Sequence, residues 1–162
     1  MARILMVAAE GLPFIKSGGL ADVIGSLPNE LAKKGHEVRV IMPLYLKIAQ
    51  KFHHEFTLEA QFSVSIAYHE VPVNIWSTMR KDVKFYFVEH KGYFEREEMY
   101  GHIDDGERFA YFQKAVIEMC NQLNYFPEIM HCHDWHTGMI PAMCKEGHSF
   151  DERYRNIRFV YT

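Results

Sequence analysis

The sequence predicts an α/β fold: a Rossmann-like, doubly wound and mainly parallel sheet in a single domain over residues 1–162. Three observations point to it. Arg3 to Ala9 is an unbroken apolar run of the kind that suits a strand buried on both faces. A glycine-containing loop and an apolar helical period follow, and a second strand-like run begins at Glu37. Strand, helix and strand within about 40 residues make a βαβ unit, whose right-handed crossover implies parallel pairing. Further strand and helix patterns then alternate to the last residue.

After the first strand, Glu10 to Gly19 is a loop. Leu20, Val23, Ile24, Leu27 and Leu31 then fall at helical spacing, and Gly35 stands where a helix stop belongs. Pro28 lies inside that pattern and is expected to kink the helix or split it. Glu37 to Met42 reads as the second strand, ended by Pro43. Phe56–Tyr68, Val71–Thr78 and Val83–Val88 are rich in β-branched and aromatic residues. They read as strands joined by short turns at His69-Glu70 and Arg80-Lys81-Asp82. Lys91 to Gly106 is a polar, aromatic-studded loop. From Glu107 the helical period returns, with Phe109, Phe112, Val116, Met119, Cys120 and Leu123 on one face. Glu128–His133 is a short strand, His136–Lys145 a short helix closing at Gly147, and Arg158–Thr162 a last strand. That strand runs into the chain end, where an open sheet of this kind places its ligand groups, so a longer polypeptide is expected.

Composition narrows the function classes. Eighteen basic against twenty-one acidic residues give a formal charge of −3, without the basic excess of a nucleic-acid binder. No apolar run reaches the roughly 18–20 residues that span a bilayer, and no leader precedes the first strand. Cys120, Cys132 and Cys144 leave one thiol unmatched in any pairing, so a disulfide framework is not expected. The expectation is a soluble, cytoplasmic protein.

Two segments carry chemistry. Lys16-Ser17-Gly18-Gly19-Leu20 joins the first strand to the first helix. Its glycines let backbone approach a ligand, the helix start offers free N–H groups, and Lys16 adds a mobile charge, a combination that suits a phosphate or diphosphate. The order matches neither the P-loop nor the dinucleotide-binding pattern, and a plain turn with a solvated lysine is the competing reading. The second segment, His131-Cys132-His133-Asp134-Trp135-His136, is dense in potential metal ligands. Strand alternation turns His131 and His133 one way and Cys132 and Asp134 the other, and no zinc-type spacing accompanies them, so no metal site is expected.

Lys16 to Val23, followed by Leu27-Pro28, Leu31-Ala32 and Gly35-His36-Glu37-Val38, closely resembles the start of bacterial glycogen synthases and plant starch synthases. The family usually has Thr where this chain has Ser17, which keeps the hydroxyl. Tyr100-Gly101 through Asp104-Asp105 to Arg108-Phe109, and His131 to Gly138 with Pro141 after it, carry the same resemblance in order. It covers residues 1–162 and is weakest over 50–85.

The resemblance implies the N-terminal Rossmann-like domain of the glycosyltransferase B architecture, with a C-terminal nucleotide-sugar domain beyond this sequence. The implied activity is retaining transfer of glucose from ADP-glucose, or alternatively UDP-glucose, to the non-reducing end of an α-1,4-glucan. It implies no cofactor, and inactivity for this polypeptide alone. Lys16, Gly18 and Gly19 would face the donor's diphosphate and glucose, with Asp22 a donor-side carboxylate. Asp134 and His136 would be catalytic, Asp134 by orientation and charge stabilisation. Tyr93 is a candidate platform for the acceptor's sugar ring, with anchoring of its own loop the competing role. Asp105 and Arg108 are expected to pair with each other at a helix start. The rivals are another nucleotide-sugar-dependent glycosyltransferase, a non-catalytic glucan-binding module and a zinc hydrolase.

Overall fold

A computed structural model describes residues 1–162. The strands are β1 (Arg3–Val7), β2 (Glu37–Pro43), β3 (Thr57–Ile66), β4 (His69–Arg80), β5 (Val83–Glu89), β6 (Ile129–Cys132) and β7 (Arg158–Tyr161). They form one seven-stranded sheet in the order β3-β4-β5-β2-β1-β6-β7. β1 pairs in parallel with β2 and β6, β2 with β5, and β6 with β7; only β3–β4 and β4–β5 are antiparallel. The mainly parallel α/β sheet is therefore the one expected.

Helix α1 (Gly19–Lys33) connects β1 to β2, and α4 (Asp105–Gln122) lies on the path from β5 to β6. These two crossovers run in opposite directions along the sheet. Right-handed connections therefore put α1 and α4 on opposite faces, and β1 is buried from both sides. Leu5 to Ala9 have no exposed surface, as the unbroken apolar run requires.

Four local expectations are corrected. α1 is a single helix through Pro28: the proline removes one N–H, but Ala21, Ile24 and Pro28 are all buried, and packing outweighs one lost bond. The first hairpin turns at Ala67 and Tyr68 rather than His69-Glu70, with Ala67 at φ +52°, so both flanking strands pair up to His69 and Ile66. The polar loop contains a short helix, α3 (Lys91–Phe94), and α4 begins at Asp105, two residues before Glu107. The helix expected from His136 starts instead at Ile140 (α5, Ile140–Gly147), because 135–137 form a separate 3₁₀ turn. Two further helices were not foreseen: α2 (Leu46–Phe52), whose Ile48 is buried, and the one-turn α6 (Glu152–Arg155).

Arg108 holds the segment between α3 and α4. It is wholly buried and donates to the Tyr93 carbonyl at 2.9 Å and to the Met99 carbonyl. Asp105 lies 3.3 Å from its Nε, so these two charges are neighbours as expected, although neither atom makes a hydrogen bond there. Arg96 and Asp104 clasp the same segment with two 2.6 Å bonds.

The loop after β1 sits directly on α1, with the Leu12 amide donating to the Ala21 carbonyl at 3.1 Å. A Cβ on Gly11 would fall 2.4 Å from Ile24 Cγ2 and 2.9 Å from Met42 Cε. Gly11→Ala is therefore expected to lose about 1–3 kcal/mol of stability by overpacking. Urea denaturation checks this; an unchanged midpoint would mean the loop is not seated on the helix.

Candidate functional site

Strand order reverses at β1, and in open α/β sheets ligands bind beyond the carboxyl ends of the strands at such a switch point. The two chemistry-bearing segments occupy the loops that follow β1 and β6, the neighbours flanking it. Between them lies a cleft of about 520 Å³, lined by Leu20, Val23 and Leu27 of α1 together with His131, His133, Asp134 and Thr162. A groove of about 560 Å³ between the β3–β4 hairpin and α4–α5 contains none of the residues singled out from the sequence.

On the β1 side, Lys16 Nζ lies 2.7 Å from both carboxylate oxygens of Asp22. Both side chains are about half exposed, so this pair adds little to stability. It neutralises the charge Lys16 would offer an anion until a ligand competes for it. Gly19 opens onto empty space: an added Cβ would meet nothing within 4 Å. Packing therefore does not require glycine there. Gly18 precedes the helix in extended conformation, with no side chain capping the helix start. The first amides of α1 have no acceptor within their own helix.

On the β6 side, Asp134 has φ +63° and ψ +173°, a region otherwise used almost only by glycine. Its surroundings hold it there. Its amide donates to the Thr162 carbonyl at 2.7 Å, its Oδ1 accepts from the Trp135 amide at 2.6 Å, and its carbonyl accepts from the Thr137 hydroxyl at 3.0 Å. His136 is buried against Trp135, Phe109 and Tyr100, with ring centroids 4.0, 4.6 and 4.8 Å away. Burial lowers its pKa, and its Nδ1 is sealed without a partner. Asp134 thus faces the cleft, while His136 forms part of the wall behind it.

His131 and His133 stack at 3.9 Å, on one side as strand alternation requires. The Thr162 hydroxyl lies 3.1 Å from His131 Nε2 and 3.0 Å from His133 Nδ1, bridging the two rings. No three His, Cys, Asp or Glu side chains converge into a metal-ligand set. The cysteines are buried and free, and burial pushes the Cys132 and Cys144 thiols up to about 12.

Tyr93 is not part of this cleft. Its ring packs on His90 at 4.4 Å and Tyr111 at 5.1 Å, its hydroxyl donates to Glu107, and it borders a separate depression with His69 and Val71. Burial, then Glu107, raises its pKa to about 12. Two residues not singled out from the sequence do belong to the site. Tyr100 packs on His136, and Glu10 accepts hydrogen bonds from the glycine loop. Tyr100 lies in a motif already noticed for its order; nothing in the local pattern marks Glu10.

Two measurements check this geometry. Asp134→Gly should be more stable than Asp134→Ala by about 1–2 kcal/mol, since only glycine relieves the backbone; equal stabilities would refute the strained conformation. Burial, then His131, holds the His133 pKa down to about 4. The unfolded chain binds this proton near pH 6.5, so it carries the extra proton between about pH 4 and 6.5. Stability should rise with pH through that window and level off above it, with a smaller rise in His133→Gln. The same slope in both proteins would mean that His133 titrates normally.

A family model described as starch synthase catalytic domain matches residues 3–162. Among curated proteins, the glycogen synthases of Streptococcus agalactiae and Streptococcus equi are 45% and 46% identical over 160 residues. Each alignment covers 99% of this chain and 34% of the relative, so the chain spans about a third of their length. The catalytic domain of starch synthase IV from Arabidopsis thaliana, bound to ADP and acarbose, superposes with a TM-score of 0.86 at 27% identity. That match covers 99% of this chain and 33% of the other.

Proposed function

The chain belongs to the starch synthase catalytic domain family, and we propose that it forms the N-terminal part of a glucosyltransferase that extends an α-1,4-glucan from ADP-glucose with retention at the sugar carbon. The observation that carries this reading is that Leu20, where the glycine loop enters α1, and Asp134 line one cleft at the sheet's switch point. Its curated relatives are glycogen synthases, and the Arabidopsis structure was solved with ADP and acarbose.

In this mechanism Lys16 exchanges Asp22 for the donor's diphosphate and neutralises charge that grows on the leaving nucleotide. A charge-assisted contact that strengthens as the bond breaks lowers the barrier rather than only the KM. Gly18 and Gly19 let the diphosphate reach the first amides of α1. Asp22, released from Lys16, takes a donor hydroxyl. Asp134 stabilises positive charge at the reacting carbon, and its rigid backbone sets where that charge lies. His136 holds Asp134's turn against the aromatic wall and so acts on the site through Asp134's position. Tyr93, outside the cleft, serves the glucan from the separate depression that it borders.

Lys16 in the glycine loop is already paired with Asp22, and the cleft lining holds no lysine or arginine while including the carboxylate of Asp134. Further diphosphate and sugar contacts are therefore assigned to a C-terminal nucleotide-sugar domain, and the 162-residue polypeptide alone is expected to transfer no glucose. The reading is tested with the full-length product of the gene, labelled ADP-glucose and a short malto-oligosaccharide. Elongation is expected, falling by about 100-fold in Lys16→Ala. No transfer from either ADP-glucose or UDP-glucose would overturn it; oligosaccharide binding without transfer would leave a glucan-binding module.

A further inference from the structure

Glu10 follows β1 and is only 4% exposed, yet none of the chain's ion pairs includes it. Its Oε2 instead accepts hydrogen bonds from the backbone amides of Ser17 and, at 3.3 Å, Gly18. The glycine loop is thus already bound to an anion, and the anion is internal. A buried carboxylate is costly unless hydrogen bonds satisfy it, and these two amides reach an acceptor oxygen held at one fixed distance from the loop.

This divides the loop in two. The Ser17 and Gly18 amides point inward to Glu10. The next amides, those of Gly19 and Leu20, begin α1 without an intrahelical acceptor, and Gly19 borders open space. We propose that Glu10 is a positioning residue for the donor's diphosphate: by seizing Ser17 and Gly18 it sets the loop so that Gly19, Leu20 and Lys16 are the groups that meet the ligand. A loop fixed before binding loses little conformational freedom on binding, and that difference appears as donor affinity. Burial, followed by the Glu10 charge, raises the pKa of Tyr100. Glu10 itself does not touch the substrate. The inference rests on the glucosyltransferase reading and adds to it a role for a residue outside the glycine motif.

The test uses the full-length gene product and three variants, with ADP affinity measured by calorimetry and KM measured separately for ADP-glucose and malto-oligosaccharide. Glu10→Ala should weaken ADP and raise the ADP-glucose KM by about tenfold or more, leaving the malto-oligosaccharide KM within about twofold. Glu10→Gln keeps an acceptor oxygen at the same reach and should stay within about threefold of the parent. Glu10→Asp keeps the charge but falls short of both amides, and should resemble Glu10→Ala. A purely structural role would lower thermal stability and active fraction while leaving ADP affinity and the ADP-glucose KM unchanged, and that result overturns the proposal. So does the reverse order, with Glu10→Asp parent-like and Glu10→Gln weak; this pair decides the matter if Glu10→Ala does not fold. ADP binding needs no turnover, so the two readings separate. The expected pattern in a protein that transfers no glucose keeps Glu10's role and removes the transferase. Transfer without the pattern does the opposite, and a parent with neither ADP binding nor transfer loses both.

Discussion

The fold turns on the burial of β1 between two parallel neighbours. Parallel pairing forces each connection to cross a face of the sheet, and the β1-to-β2 and β5-to-β6 crossovers, running in opposite directions, cover both faces of β1. Leu5 to Ala9 are therefore sealed, and the space left beside this strand is at its carboxyl end. The loops after β1 and β6 emerge there side by side although their residues are more than 100 positions apart. The cleft is a consequence of strand order before it is a consequence of any particular side chain.

Burial then gives polar groups at that end unusual leverage. Arg108 can hold two backbone carbonyls because water does not compete for it. Glu10 can organise two amides for the same reason. The backbone of Asp134 stays in a sparsely populated conformation because the Thr162 carbonyl, the Trp135 amide and the Thr137 hydroxyl all constrain it. Lys16 and Asp22 differ from these: exposed and paired with each other, they are groups that a ligand can rearrange.

Much of this was legible from residue order. Periodicity located all seven strands and both long helices, since β1 is apolar throughout and α4 repeats large side chains on one face. What it mistook were places where neighbours in space overrule local preference. Pro28 did not divide α1, because its buried turns pack regardless. His136 did not begin a helix, because it is pinned among Trp135, Phe109 and Tyr100. Tyr45, Ile48, Ala49 and Phe52 do recur at helical spacing, but seven residues between two strands make a weak signal.

By itself, the amino-acid sequence determined the kind of sheet and the family, because apolar periods and short motifs are properties of contiguous residues. Tertiary structure alone decided that Leu20, at the end of the glycine loop, shares a cleft with Asp134, that Asp22 holds Lys16, that Tyr93 stands apart and that Tyr100 belongs with His136. It also decided the partner of Glu10, seven residues from the amide it binds and separated from it by a folded-back loop. Hydrogen bonds and burial are set by distance in space, and a buried carboxylate with backbone partners leaves no pattern in the order of side chains.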